Sequence, residues 1–152
     1  MCGIVGFVDF ANKSTNKTIE YMTDSITHRG PDGTDTWSKS QNNTLISFGH
    51  RRLSILDLSQ NGAQPMSFDG LTIVFNGEIY NFQEIKKELI SLGYSFNSNS
   101  DTEVLLKSFH CWGPESVNKF IGMFAYVVYS EQNSKLYLFR DRVGIKPLYY
   151  SF

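Results

Sequence analysis

Met1-Cys2-Gly3-Ile4-Val5-Gly6-Phe7-Val8 opens the chain. Removal of the initiator methionine would leave Cys2 first, carrying a thiol and a free α-amine on one residue. The thiol is a strong nucleophile, and an α-amine, with a reference pKa of about 7.7–8.0, can take its proton near neutral pH. The apolar run after it predicts a buried strand over residues 3–9, which would hold Cys2 on a rigid element. The plain alternative is a small hydrophobic residue that happens to stand second.

Working outward, the 152 residues make one domain or a piece of one. A chain of this size buries about two-thirds of its unfolded surface, enough for a core. Its net charge is −1, so no basic excess points to nucleic acid or an anionic membrane. Cys2 and Cys111 lie far apart and lack metal-ligand spacing, which argues against a disulfide framework or a metal site and suits a reducing cytoplasm. The N-terminus lacks a signal-peptide layout, and no apolar run nears the roughly 18 residues of a membrane span.

After the first strand, Ile19, Met22 and Ile26 mark one face of a helix, with Asn16 as its expected cap and Gly30-Pro31 as its stop. His28-Arg29-Gly30-Pro31-Asp32-Gly33 reads as a loop packed over a site. Trp37 and Leu45–Phe48 suggest two strands, followed past Arg52 by a Gly/Gln/Asn loop to Pro65. Leu71–Phe75 is a buried strand ending at Asn76-Gly77-Glu78. Phe82, Ile85, Leu89 and Leu92 predict a helix capped by Asn81 and stopped by Gly93. Ser100-Asp101-Thr102-Glu103 has capping-box spacing and opens another helix, ended by Gly113-Pro114. Met123–Tyr129 and Leu136–Phe139 form a hairpin about Glu131–Ser134, and Leu148–Phe152 begins a further strand in which the chain looks cut short. Strands, two helices, then strands argue for an α+β fold with mostly antiparallel sheets.

Several residues suggest chemistry. Asn76 beside Gly77 could offer a side-chain amide and a backbone N–H to an oxyanion, although Asn-Gly is also the strongest short hairpin signal. Asp101, in the first turn of its helix, would stay ionised by the helix dipole and could hold an ammonium, or simply cap the helix. One of Arg51 and Arg52 could grip a carboxylate, since neighbouring strand residues face opposite ways; both could equally be solvated. Cys111 falls on an apolar helix face and reads as core.

Together these stretches resemble the class II glutamine amidotransferase domain, and within it the N-terminal domain of glutamine-hydrolysing asparagine synthetases. The resemblance rests on Met1–Gly6, His28–Asp32, Arg52-Leu53-Ser54-Ile55, Asn76-Gly77-Glu78-Ile79-Tyr80-Asn81, Ser100–Glu103, Gly122-Met123-Phe124-Ala125 and Arg140-Asp141-Arg142-Val143-Gly144-Ile145-Lys146-Pro147-Leu148-Tyr149-Tyr150, in the family's order along the whole chain. It implies an N-terminal-nucleophile fold, a four-layer αββα sandwich with two mostly antiparallel sheets. Residues 1–152 would form a glutaminase domain incomplete at its C-terminal end.

The resemblance further implies hydrolysis of L-glutamine to glutamate and ammonia. Cys2 would be the nucleophile and its own amine the base. Asn76 and Gly77 would form the oxyanion hole, Arg52 would bind the α-carboxylate, and Glu78 and Asp101 the α-ammonium. Activity would then require removal of Met1, because an amide nitrogen cannot take the thiol proton. No metal or cofactor is implied here; ATP and Mg would serve a C-terminal or separate synthetase domain that amidates aspartate. The expected partners are L-glutamine and that domain, with no nucleic acid or membrane, and a homodimer is left open. Two other readings stand beside it: a truncated module that binds glutamine or a partner without turnover, and the amidotransferase domain of an enzyme with another acceptor.

Overall fold

A computed structural model describes residues 2–53 and 60–152, so Met1 and the Ser54-Ile55 end of one motif lie outside the described residues. The chain divides into two compact units, residues 2–53 with 63–65 and residues 60–62 with 66–152.

In the first unit, β1 (Gly3–Asp9), β2 (Gly33–Gln41) and β3 (Thr44–Arg52) form an antiparallel sheet in the order β1-β3-β2. Helix α1 (Asn16–Ser25) lies on β1 and β3, with Ile19 fully buried. The register divides β3 cleanly. Arg51 is turned to the helix side, where its guanidinium bonds Thr23 O (3.1 Å) and pairs with Asp24. Residues two apart share a face, so Ile46, Phe48, His50 and Arg52 lie on the opposite side. Helix α1 differs from expectation at both ends: Thr15 is its N-cap, and it stops at Ser25. A single 3-10 turn, Thr27–Arg29, then carries the chain to Gly30.

In the second unit, β4 (Met66–Phe68), β5 (Leu71–Ile79), β6 (Gly122–Ser130) and β7 (Lys135–Arg140) form an antiparallel sheet in that order. Helices α2 (Phe82–Ser91) and α3 (Asp101–Trp112) cover one face. Leu71, Ile73, Phe75 and Ile79 of β5 and Phe124, Tyr126 and Val128 of β6 join Ile85, Leu89, Val104, Leu105 and Phe109 in one core. Alternation puts Val74, Asn76 and Glu78 on the other face. As expected, β6 and β7 form a hairpin, and half-buried Cys111 packs against the core.

Three expectations need correcting. Asn76-Gly77-Glu78 does not end a strand or make a turn: β5 runs on to Ile79, with Asn76, Gly77 and Glu78 opposite Ala125, Phe124 and Met123. Ser100 Oγ accepts from Thr102 N (3.0 Å), but Glu103 does not reach back to complete the capping box. It bonds the N–H groups of Asn97 and Ser98 instead. Leu148–Phe152 forms no strand; Tyr149 and Phe152 are fully exposed, with no neighbouring strand to pair with among the described residues. The α+β class and the two antiparallel sheets are as expected. No described helix is long and apolar enough to cross a membrane.

Candidate active site

The first unit places three predicted features together. Cys2 directly precedes β1. Continuing the β1–β3 register (Gly3 opposite Arg51) by one residue sets it opposite Arg52, on the face away from α1. Its Sγ lies 3.3 Å from Leu53 N and 3.6 Å from Leu53 O, accepting from the first and donating to the second. The His28–Asp32 loop packs against the ends of β1 and β3, meeting Gly3 on the side that faces α1. The stem of Arg29 lies over Gly3, and a Cβ on Gly30 would fall 2.5 Å from the Arg51 carbonyl. Asp32 N donates to Arg52 O (3.0 Å). Only glycine lets that loop approach β3 so closely.

Sequence reasoning gave no role to His50, which shares this face. It is 2% exposed, and its Nε2 has no hydrogen-bond partner among the described residues. Burial, and then the charge of Arg52, lower its pKa to about 4, so the ring is neutral at physiological pH. Its spacing of two from Arg52 on one strand was the available signal.

The second unit gathers the rest. Tyr80 N donates to Ile121 O (2.7 Å) and Glu131 N to Gly70 O (2.9 Å), so the hydrogen-bonded pairs of β5 with β6 fall at even residues of β5. Gly77 and Ile79 therefore point their N–H groups away from β6. They face the edge that β4, paired only with Leu71–Ile73, leaves uncovered. Ile79 N donates to Asp101 Oδ2 (3.1 Å), and the Gly77 N–H projects from the same edge two residues earlier. The strands nearly touch here. A Cβ on Gly77 would lie 2.2 Å from Met123 O, and one on Gly122 2.1 Å from Glu78 O. Asn76 is buried on the neighbouring face.

Asp101 stands at the start of α3, just after its cap Ser100. It is not held fully ionised, as the dipole argument expected. Burial raises its pKa to about 6; N–H donors, first Ile79, pull it down, and the nearby Glu78 carboxylate adds to the rise. Two carboxylates that repel each other are a natural seat for a cation. Among the described residues no group of three or more His, Cys, Asp or Glu could hold a metal.

A family model of the glutamine amidotransferase domain matches residues 1–152, and the chain belongs to that family. Asparagine synthetase [glutamine-hydrolyzing] 3 of Bacillus subtilis is 40% identical over 99% of this chain and 25% of its own length. Asparagine synthetase [glutamine-hydrolyzing] 1 of the same organism is 43% identical over 99% of this chain and 24% of its own. The chain thus spans about a quarter of the length of these relatives. Among solved structures, the glutamine phosphoribosylpyrophosphate amidotransferase of B. subtilis superposes with a TM-score of 0.69 at 19% identity, over 84% of this chain and 35% of that one. The fold of this chain is that of the corresponding part of that amidotransferase.

Proposed function

We propose that residues 1–152 form a glutaminase domain that hydrolyses L-glutamine to glutamate and ammonia, from a chain that begins at Cys2. The observation that carries this reading is the β5 edge. There a Gly77 N–H left outside the ladder lies two residues from the Ile79 N–H that holds Asp101, with Glu78 close to Asp101 in charge. Donors for an oxyanion and carboxylates for an ammonium are thus built from one strand and one helix start.

In this reading the Cys2 thiol passes its proton to its own α-amine, and the sulfur attacks the side-chain amide carbon of glutamine. The carbonyl electrons move to oxygen, where the Gly77 N–H and the Asn76 amide stabilise the charge. Collapse breaks the C–N bond, and the amine returns the proton to the departing ammonia. Water, activated by the same amine, then cleaves the thioester to give glutamate and free Cys2. Arg52 holds the α-carboxylate; Asp101 and Glu78 hold the α-ammonium.

The asparagine synthetase relatives support ATP-dependent amidation of aspartate as the destination of the ammonia. A synthetase domain, continuous or separate, would do this with ATP and Mg, and no step above passes through them. Two free cysteines suit a cytoplasmic setting. The test is ammonia release from glutamine by a chain shown by intact mass to begin at Cys2. Cys2→Ala should abolish release without changing the melting temperature; release at the parent rate would end the assignment.

A further inference from the structure

We propose that Asp141 is a positioning residue for the Gly77 oxyanion donor, acting through the strand opposite it. The inference rests on the glutaminase reading of Gly77. The β5–β6 pair outruns its sheet. On the outer side β4 stops at Met66, opposite Ile73; on the other, β7 pairs β6 only as far as Ala125–Arg140. Residues 77–79 and 122–124 are therefore a two-stranded ribbon projecting from a four-stranded sheet. A two-stranded ribbon twists more than a wider sheet, so even with Ile79 and Phe124 packed in the helix-covered core its own ladder does not fix its direction. An oxyanion donor needs the opposite, a fixed direction.

Asp141 supplies the missing third strand. Its N–H donates to Phe124 O (2.8 Å), and its carboxylate accepts from Phe124 N (3.2 Å), Ile145 N (2.8 Å) and Lys146 N (2.9 Å). It is 5% exposed. Burial pushes its pKa up, but the N–H groups of Lys146, Ile145, Phe124 and Gly144 together outweigh that and hold it below the ordinary carboxylate value. The loop it organises is closed from outside by Arg140, whose Nε donates to Lys146 O (2.7 Å) and whose second guanidinium nitrogen donates to Gly144 O (2.6 Å). Phe124, so held, lies directly opposite Gly77, and the bare backbone of residues 123–124 presses on it where a Cβ has no room. Any shift of β6 at Phe124 is passed to the Gly77 peptide without a side chain to absorb it.

Asp141→Asn keeps the size of the side chain and removes the charge that gathers these donors. Glutamine kcat should fall by about 10- to 100-fold, with KM changed less than about twofold. Affinity for the γ-aldehyde of glutamate, which forms a tetrahedral adduct with a thiol, should fall by the same factor as kcat. Affinity for glutamate, which needs only the head-group contacts, should hold. By NMR the Gly77 and Phe124 amide resonances should move. Asp9→Asn is the control: its carboxylate gathers the N–H groups of Ala11, Lys13 and Ser14 in the other unit, and its loss should lower stability and leave kcat alone. Should Asp141→Asn not fold, Arg140→Lys loosens the same loop with Asp141 in place and should act in the same direction, more weakly. An unmoved Gly77 amide in a folded variant overturns the proposal. So does unchanged kcat, or aldehyde and glutamate affinities that fall together. A parent chain that neither hydrolyses glutamine nor binds the aldehyde overturns the glutaminase reading first, and that failure shows in the parent rather than the variant.

Discussion

At the scale of the residue, Asp101 departs most from what its neighbours in sequence suggest. A carboxylate in the first turn of a helix is favoured by the dipole, yet burial raises this one to about 6. The neutral acid cannot pair with an ammonium. Glutamine KM should therefore fall as pH rises through about 6 and level off above it, a profile readable from initial rates. Asp101→Asn should raise KM and flatten that profile; a pH-independent KM in the parent would remove Asp101 from the binding site. The place of Asp101 at a capped helix start was legible because a cap, a helix start and a carboxylate are local features. Its pKa was not, because desolvation depends on β5 and Glu78, 22 and 23 residues away in sequence.

At the scale of the element, strand alternation separates two adjacent arginines. Arg51 is committed to α1 through Thr23 O and Asp24; Arg52 lies on the face shared with the position of Cys2. Arg52→Lys keeps the charge and loses the planar fork, so glutamine KM should rise at least about tenfold. Arg51→Lys should cost stability only. An equal rise in KM from Arg51→Lys would reverse the assignment. Alternation was visible in the sequence, as were the β6–β7 hairpin and the two central helices, because each depends on periodicity and nearby turn residues. Asn76-Gly77 was ambiguous for a physical reason: the dipeptide suits a turn, and it takes a second glycine, Gly122, opposite Ile79 and bare against Glu78 O, to make a continuous, closely spaced strand possible. Three-residue β4 is too short to show a period, and Leu148–Phe152 has strand composition without a strand beside it among the described residues.

At the scale of the whole molecule, stability depends on groups outside the proposed chemistry. Glu103 and Lys107 form a buried ion pair at 2.5 Å. Lys107 also donates to Ser95 O (2.5 Å) and lies 5.0 and 4.7 Å from the ring centroids of Phe68 and Phe96. Glu103→Gln leaves the buried Lys107 ammonium without a counter-charge and should cost on the order of 3 kcal/mol, lowering the melting temperature by about 6–12 °C. An unchanged melting temperature would show that the rings and Ser95 suffice. Burial raises the Glu103 pKa, but Lys107, Ser98 and Asn97 more than offset it and leave it below the ordinary 4.5. Its contribution is complete above that unfolded value and is lost as pH falls through the lower folded one. Asp101, shifted the other way, weakens the fold as pH rises from about 4 to 6. The acid limb of stability is thus a contest between two groups on the first turn of one helix.

The division into two units gives the chain two optical reporters. Its two tryptophans fall one in each unit: Trp37 is stacked on Phe48 at 5.5 Å, and Trp112 lies beneath the Lys119 ammonium at 4.3 Å. Trp112→Phe leaves fluorescence reporting the first unit, and Trp37→Phe leaves it reporting the second. The first unit is smaller and buries fewer apolar side chains, and burial rises with size. Trp37 emission should therefore shift to the red at a lower denaturant concentration than Trp112 emission. Coincident curves would make the 152 residues one cooperative block despite the division of their contacts.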